Sequence, residues 1–122
     1  MTRIDQFLPG FAPHDAIGSH VLQTRRVLRE AGFDSDIFAE HIHGPMDRHA
    51  ADFRSYSSTR QNTFLLYHAS TSSPMASFLA DREEPLLLDY HNITPARYFA
   101  RWEPVAAASM TEARHQLRML VD

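Results

Sequence analysis

Short apolar runs alternate with helix-like segments along the chain, and this alternation is the feature that most restricts its fold. Runs of strand length occupy residues 4–8, 36–40, 63–67 and 85–90, and the segments after the first, third and fourth runs carry apolar residues at helical spacing. Such alternation predicts βαβ units and a parallel sheet, because parallel neighbours need a crossover connection. With right-handed crossovers, we expect residues 1–122 to form one α/β, Rossmann-like domain with about four strands in the order 2-1-3-4 and flanking helices.

One polar segment, residues 41–61, interrupts the alternation, and we expect a short helix near residues 46–53 or a mobile loop there. Three of its residues, His41, His43 and His49, are potential metal ligands. A zinc site needs a third and fourth ligand in a defined geometry, which a polar loop does not provide. The sequence therefore predicts a solvated loop here and no metal site.

Composition excludes several classes of protein. The 122 residues carry a net charge of −3 and include no cysteine, which argues against nucleic-acid binding, a disulfide scaffold and thiolate chemistry. No apolar run approaches the roughly 18–20 residues of a membrane helix, and the first residues do not resemble a signal peptide. We expect a cytoplasmic protein. Arg25, Arg26 and Arg29 form a basic helix side, for which solvation is the favoured interpretation and contact with a membrane surface is the alternative.

Polar residues follow three of the predicted strands, where each strand gives way to a helix. The carboxyl ends of parallel strands meet at one edge of a sheet, and ligands bind there beside the point where the strand order reverses. For His68 and His91, a role in a site and a structural hydrogen bond are both open. The residues that this edge brings together as candidates are Gly10, His14, Asp15, His68, Ser70, His91 and Asn92.

The same segments carry a resemblance to a known family. They are similar to the amino-terminal domain of family-four glycosyltransferases, which are retaining enzymes of GT-B fold, from about residue 5 to the last helix. The most specific string follows the fourth strand, and a moderately specific one begins the first. The strings are Tyr90-His91-Asn92-Ile93-Thr94-Pro95, Gln6-Phe7-Leu8-Pro9, Asp15-Ala16-Ile17-Gly18-Ser19-His20-Val21-Leu22, Ile37-Phe38-Ala39-Glu40 and Tyr67-His68-Ala69-Ser70 with Ser73-Pro74.

The resemblance implies roles for individual residues. In that family the amino-terminal domain holds the acceptor and a carboxyl-terminal domain holds the nucleotide-sugar. By position, His91 is the catalytic candidate, which would hydrogen-bond a donor hydroxyl and stabilise charge rather than act as a nucleophile. The loop of residues 10–16 would approach the donor diphosphate and the acceptor, and His68 and Ser70 would line the acceptor side. The substrate-binding set implied is Gly10, His14, Asp15, His68, Ser70 and Asn92, with no cofactor.

Two functions follow as hypotheses. In the first, the chain is the acceptor-side part of a glycosyltransferase that uses a nucleotide-sugar donor and an unidentified acceptor. We expect it to be inactive alone, because the donor-binding domain is not in this chain and a fifth strand should follow residue 122. A fragment, a split gene product and a diverged remnant all stay open, as does the question whether it is an enzyme. In the second, it is a non-catalytic α/β module that pairs with a partner chain or with itself through the open edge of the fourth strand.

Overall fold

A computed structural model of the chain describes residues 2–57, 62–91 and 104–121. The helical elements are α1 (Ala16–Glu30), α2 (Met75–Ala80) and α3 (Pro104–Val121), with two short 3-10 helices at Gly44–Arg48 and Phe53–Ser55. The strands are β1 (Arg3–Phe11), β2 (Ile37–Ile42), β3 (Ala51–Asp52), β4 (Thr63–Ala69) and β5 (Leu86–Tyr90).

The strands form one parallel sheet in the order β3-β2-β1-β4-β5. This confirms the predicted α/β, Rossmann-like class, and the four predicted strands stand in the predicted order. The number of strands is five rather than four. The additional strand is β3, which lies in the polar segment and pairs with Phe38 and Ala39. Its two residues are too few to show the apolar alternation that identifies a strand in a sequence.

Helices cover both faces of the sheet because successive strand residues point to opposite sides. On one face, Leu8 and Ile37 pack with Val21 of α1 in a buried apolar cluster. On the other face, Phe7, Leu65 and further apolar residues pack with α2 and α3. The result is a three-layer arrangement in which the carboxyl edge of the sheet remains accessible to ligands.

The connection from β1 to α1 is tighter than the sequence suggests. β1 continues to Phe11, so Gly10 lies in the strand opposite His41 and not in the predicted loop. Asp15 caps α1, as predicted, by accepting a hydrogen bond from the Gly18 backbone N–H at 3.3 Å. A Cβ atom on Gly18 would lie 3.0 Å from the Ala12 carbonyl oxygen. Glycine therefore allows α1 to approach the end of β1 closely, which brings the first turns of the helix to the carboxyl edge.

The remaining helices agree with their start signals. Ser73 Oγ accepts a hydrogen bond from the Met75 backbone N–H at 3.2 Å, and α3 begins at Pro104, a favoured first position for proline. The helix predicted to start at Thr94 lies outside the described residues. Within the described parts of the chain, no helix has the length and apolar character required to cross a membrane.

Candidate functional site at the carboxyl edge of the sheet

Three imidazoles and one carboxylate converge at the carboxyl edge, and we call His20, His68, Asp89 and His91 the histidine cluster. His68 Nδ1 lies 3.0 Å from His91 Nε2. Both of these nitrogens lie 3.4 Å from Asp89 Oδ2, and His20 Nε2 lies 3.1 Å from the same oxygen. A single carboxylate oxygen is therefore approached by three ring nitrogens.

The parallel register of β4 and β5 assembles most of the cluster. His68 and Asp89 are paired residues in adjacent strands, so their side chains point to the same face. His91 follows β5 directly and is held by a 2.9 Å hydrogen bond from its backbone N–H to the Ala69 carbonyl. α1 contributes His20, whose ring contacts the rings of His68 and His91 edge-on at centroid distances of 5.7 and 5.6 Å.

Gln6, in the middle of β1, fixes the orientation of the His68 ring. Its side-chain Nε2 donates to the Val21 carbonyl at 3.1 Å, so its Oε1 faces His68 Nε2 at 2.9 Å. An amide oxygen can only accept, and the proton of neutral His68 therefore resides on Nε2. The consequence is that His68 Nδ1 presents a lone pair to the rest of the cluster.

Burial keeps the His68 ring neutral. The side chain is 0% exposed, and this burial, with a further contribution from His91, lowers the pKa of His68 to about 4 although Asp89 opposes the shift. A neutral imidazole with an oriented lone pair can accept a hydrogen bond or bind a metal ion. It cannot donate a proton from Nδ1 without breaking this arrangement.

The cluster opens to solvent on one side. An open depression at the start of α1 is lined by Ala16 and Ile17 together with three members of the cluster, His20, Asp89 and His91. The side chains of His20 and Asp89 are 51% and 39% exposed. The depression lies between the start of α1 and the end of β5, at the carboxyl edge of the sheet, which is the edge at which parallel sheets bind ligands.

The structure gathers some of the predicted site residues and separates others. His68 and His91 meet, whereas His14 is exposed on the turn after β1 with a φ of 61°. The imidazole that contacts His68 and His91 is that of His20 on α1, and the expectation that His14 joins them stays a prediction. Asp15 is occupied as a helix cap.

Two further predicted residues lie outside the cluster, and a third is not among the described residues. Gly10 lies within β1, Ser70 is half-buried just after β4, and Asn92 lies outside the described residues. Their substrate-binding roles stay predictions.

Sequence reasoning missed His20, Asp89 and Gln6. A signal for Asp89 was present, because a parallel register that aligns residues 63–67 with 85–90 brings the ends of both strands together. His20 lies one turn into α1 and Gln6 in the middle of an apolar strand, and neither position is distinctive without knowledge of which face meets the helix.

The histidines of the polar segment form no comparable group. His41 has a side chain that is 68% exposed, and His49 contacts Arg25 through its Nδ1 at 3.0 Å. Among the residues that the structure describes, the histidine cluster is the one group of potential metal ligands.

The basic side of α1 is paired as well as solvated. Arg25 donates to the His49 carbonyl, and Arg29 donates to Asp36.

No protein-family model, curated protein or solved structure matches this chain. Its function is therefore argued from its own fold and from the geometry of the histidine cluster.

Proposed function

We propose that this chain is the acceptor-side part of a glycosyltransferase that moves a sugar from a nucleotide-sugar donor to an acceptor, and that it does not turn over alone. The observation that carries the proposal is the position of His91. It lies at the carboxyl edge directly after β5, the strand that neighbours β4, and in the wall of an open depression.

The chemistry of the depression suits a hydroxyl-rich ligand. Asp89 offers carboxylate acceptors, and imidazole nitrogens either donate or accept hydrogen bonds. His91 Nε2 is directed to His68 and Asp89, so Nδ1 is the ring atom available to a sugar hydroxyl. The amino-terminal end of α1 adds the positive end of the helix dipole to this side, where the Asp15 carboxylate already accepts from the Gly18 backbone N–H.

His91 would therefore position the transferred sugar rather than attack it. A second domain opposite this edge would hold the nucleotide and exclude water when the cleft closes.

The test is imidazole NMR of the ¹⁵N-labelled chain during titration with nucleotide-sugars, free sugars and the matching nucleotides at millimolar concentrations. We expect the ring resonances of His91 to shift with sugar-containing ligands and to shift less with nucleotide alone. His91→Ala should abolish the response while circular dichroism shows an intact fold.

His41→Gln is the matched control, because its exposed ring lies outside the depression. If sugars shift only other histidines, or shift the spectrum equally in His91→Ala, His91 has no part in sugar binding and the proposal fails.

A second candidate is a non-catalytic module that pairs through the sheet edge, and exposed apolar residues on β5 favour it. β5 is the outermost described strand beside β4, and Leu87 and Tyr90 are 46% and 44% exposed. An apolar edge strand is a template for pairing with another chain.

Light scattering tests this candidate. Pairing predicts a mass above 14.0 kDa that returns to the monomer value in Leu87→Lys. Val27→Lys, at an apolar position of α1 that is 50% exposed, is the control and should leave the assembly unchanged. A monomeric wild-type chain would exclude self-pairing.

A further inference from the structure

The four inward-facing atoms of the histidine cluster are all types that bind metals. They are His20 Nε2, His68 Nδ1, Asp89 Oδ2 and His91 Nε2, and they lie within 4.8 Å of one another. The residues come from a helix, two adjacent strands and the segment that follows β5. Convergence from separate elements means that the fold, and not local sequence, brings these atoms together.

Four of the six distances between the ligand atoms fit one tetrahedral ion, and all six are within 4.8 Å. Bonds of about 2.0–2.1 Å to zinc place neighbouring ligand atoms about 3.3–3.4 Å apart. The separations here are 3.0 Å between His68 Nδ1 and His91 Nε2, 3.4 Å from each of these to Asp89 Oδ2, and 3.1 Å from His20 Nε2 to the same oxygen. Movements of a few tenths of an ångström bring these pairs to coordination geometry.

Hydrogen bonding accounts for three contacts of the cluster, since His68 Nε2 donates to Gln6 and the Nε2 atoms of His91 and His20 can donate to His68 Nδ1 and Asp89 Oδ2. One Asp89 oxygen lies 3.4 Å from two ring nitrogens, which is longer than a good N–H···O bond. His68 Nδ1 also carries a lone pair, since its Nε2 proton is directed to Gln6, and only one neighbour can donate to it at a time.

The surroundings supply the support that metal-binding histidines need. A ligating histidine usually donates its other ring N–H to a carboxylate or carbonyl group, which fixes the tautomer and the ring orientation. The hydrogen bond from His68 Nε2 to Gln6 Oε1, 2.9 Å long, is of this kind. Both side chains are 0% exposed, so this support is held rigidly within the sheet.

We propose that His20, His68, Asp89 and His91 bind one divalent transition-metal ion, with Zn²⁺ the best fit. Three imidazoles and one carboxylate match the ligands that zinc prefers, whereas Mg²⁺ and Ca²⁺ take mainly oxygen ligands. The half-exposed His20 and the open depression provide the entry path. The sequence predicts no metal site here, because residues 20, 68, 89 and 91 are brought together only by the sheet register and by the packing of α1.

The metal site does not rest on the proposed sugar transfer, and the two are compatible. A metal ion occupies His91 Nε2 and places the ring proton on Nδ1, the atom that faces a ligand. Metal binding then makes His91 a hydrogen-bond donor to a sugar hydroxyl.

The test uses the whole chain, purified without a histidine tag and stripped with a chelator. Titration with Zn²⁺ should give one ion per chain with micromolar or tighter affinity, and Co²⁺ should give the visible bands of a tetrahedral centre. His20→Ala should weaken binding by about tenfold or more, and His91→Ala should do the same. His41→Ala, which removes an exposed imidazole outside the cluster, should bind like wild type.

His20 is half-exposed, so its variant keeps the core, and circular dichroism verifies the fold. A wild-type chain that binds no Zn²⁺ at neutral pH would overturn the proposal. Equal affinity in the His20→Ala and His41→Ala variants would overturn it too, since the ion would then bind elsewhere. The readout contains no sugar, so failure here and failure of the proposed transferase function are separate results.

Discussion

Two polar clusters lie on opposite faces of the same sheet and differ in how completely their hydrogen-bond donors and acceptors are paired. The first, which we call the Asp5 cluster, consists of Arg3, Asp5, Asp36 and Tyr56, and the second is the histidine cluster. Asp5 is 1% exposed and accepts from Tyr56 Oη at 2.8 Å, from the Asp36 backbone N–H at 3.1 Å and from Arg3 Nη1 at 3.1 Å. Each of these groups is a donor directed at an acceptor.

In the histidine cluster, the acceptors are not all paired with donors. His68 Nδ1 and the Asp89 carboxylate direct lone pairs towards a common centre, and only His20 Nε2 and His91 Nε2 can place a proton between them. Buried polar groups in proteins are normally satisfied by partners. A group that is complete, such as the Asp5 cluster, stabilises the fold, whereas a group whose acceptors face one another is suited to bind something that carries positive charge.

The largest expected difference concerns the two aspartates. Asp5→Ala removes the buried carboxylate that accepts from the Tyr56 hydroxyl, the Asp36 backbone N–H and Arg3, and we expect a loss of about 3–5 kcal/mol in the free energy of unfolding. Asp89→Ala removes a partly exposed carboxylate, and we expect a change within about 1 kcal/mol in chelator. Urea unfolding of both variants checks this, and equal losses would show that the clusters do not differ in kind.

The pH dependence of stability should also separate the two clusters. The folded pKa of His68, about 4, lies below its ordinary value of 6.5, so its contribution is complete above pH 6.5 and is lost as the pH falls towards 4. For a buried group this amounts to about 3 kcal/mol at most. The charged and titratable side chains that face this ring are His20, Asp89 and His91.

Asp5 acts with the opposite sign, because burial raises its pKa above 3.8 despite the hydrogen bond from Tyr56. Its contribution therefore grows as the pH falls through its folded pKa. Measured in chelator, the free energy of unfolding should decline between pH 7 and pH 4. We expect this decline to be less steep in His68→Gln and steeper in Asp5→Asn than in the wild-type chain. If His68→Gln shows the same decline in stability as the wild-type chain, His68 is not its cause.

The smallest expected effect concerns the support for His68. Gln6→Leu keeps a side chain of similar size but removes the acceptor for His68 Nε2–H, and we expect Zn²⁺ affinity to fall by about 10–100-fold, which corresponds to about 1.4–2.7 kcal/mol. Isothermal titration calorimetry measures it. Unchanged affinity would mean that the Gln6 contact plays no part in metal binding.

Much of the fold could be predicted from the sequence because it rests on local patterns. The run at residues 63–67 is a buried strand by composition alone, and Asp15 and Ser73 are positioned at helix starts by local hydrogen bonding. The two-residue strand Ala51–Asp52 could not be predicted, because its pairing with β2 is a tertiary contact and not a pattern.

The candidate site, too, could be predicted only where it depends on local sequence. His68 and His91 were accessible to sequence reasoning because they end strands of a parallel sheet. His20 could not be predicted, because its position beside the other rings depends on the close approach of α1 that Gly18 permits. His14 was chosen instead because it is nearer to β1 in sequence, but the ring that contacts the other imidazoles is that of His20.

Crystals of the chain grown with Zn²⁺ and measured across the zinc absorption edge test the central claim most directly. We predict one strong anomalous peak about 2.0–2.1 Å from His20 Nε2, His68 Nδ1, His91 Nε2 and Asp89 Oδ2. An unoccupied histidine cluster in crystals that hold zinc at His41, His43 or His49 would contradict it.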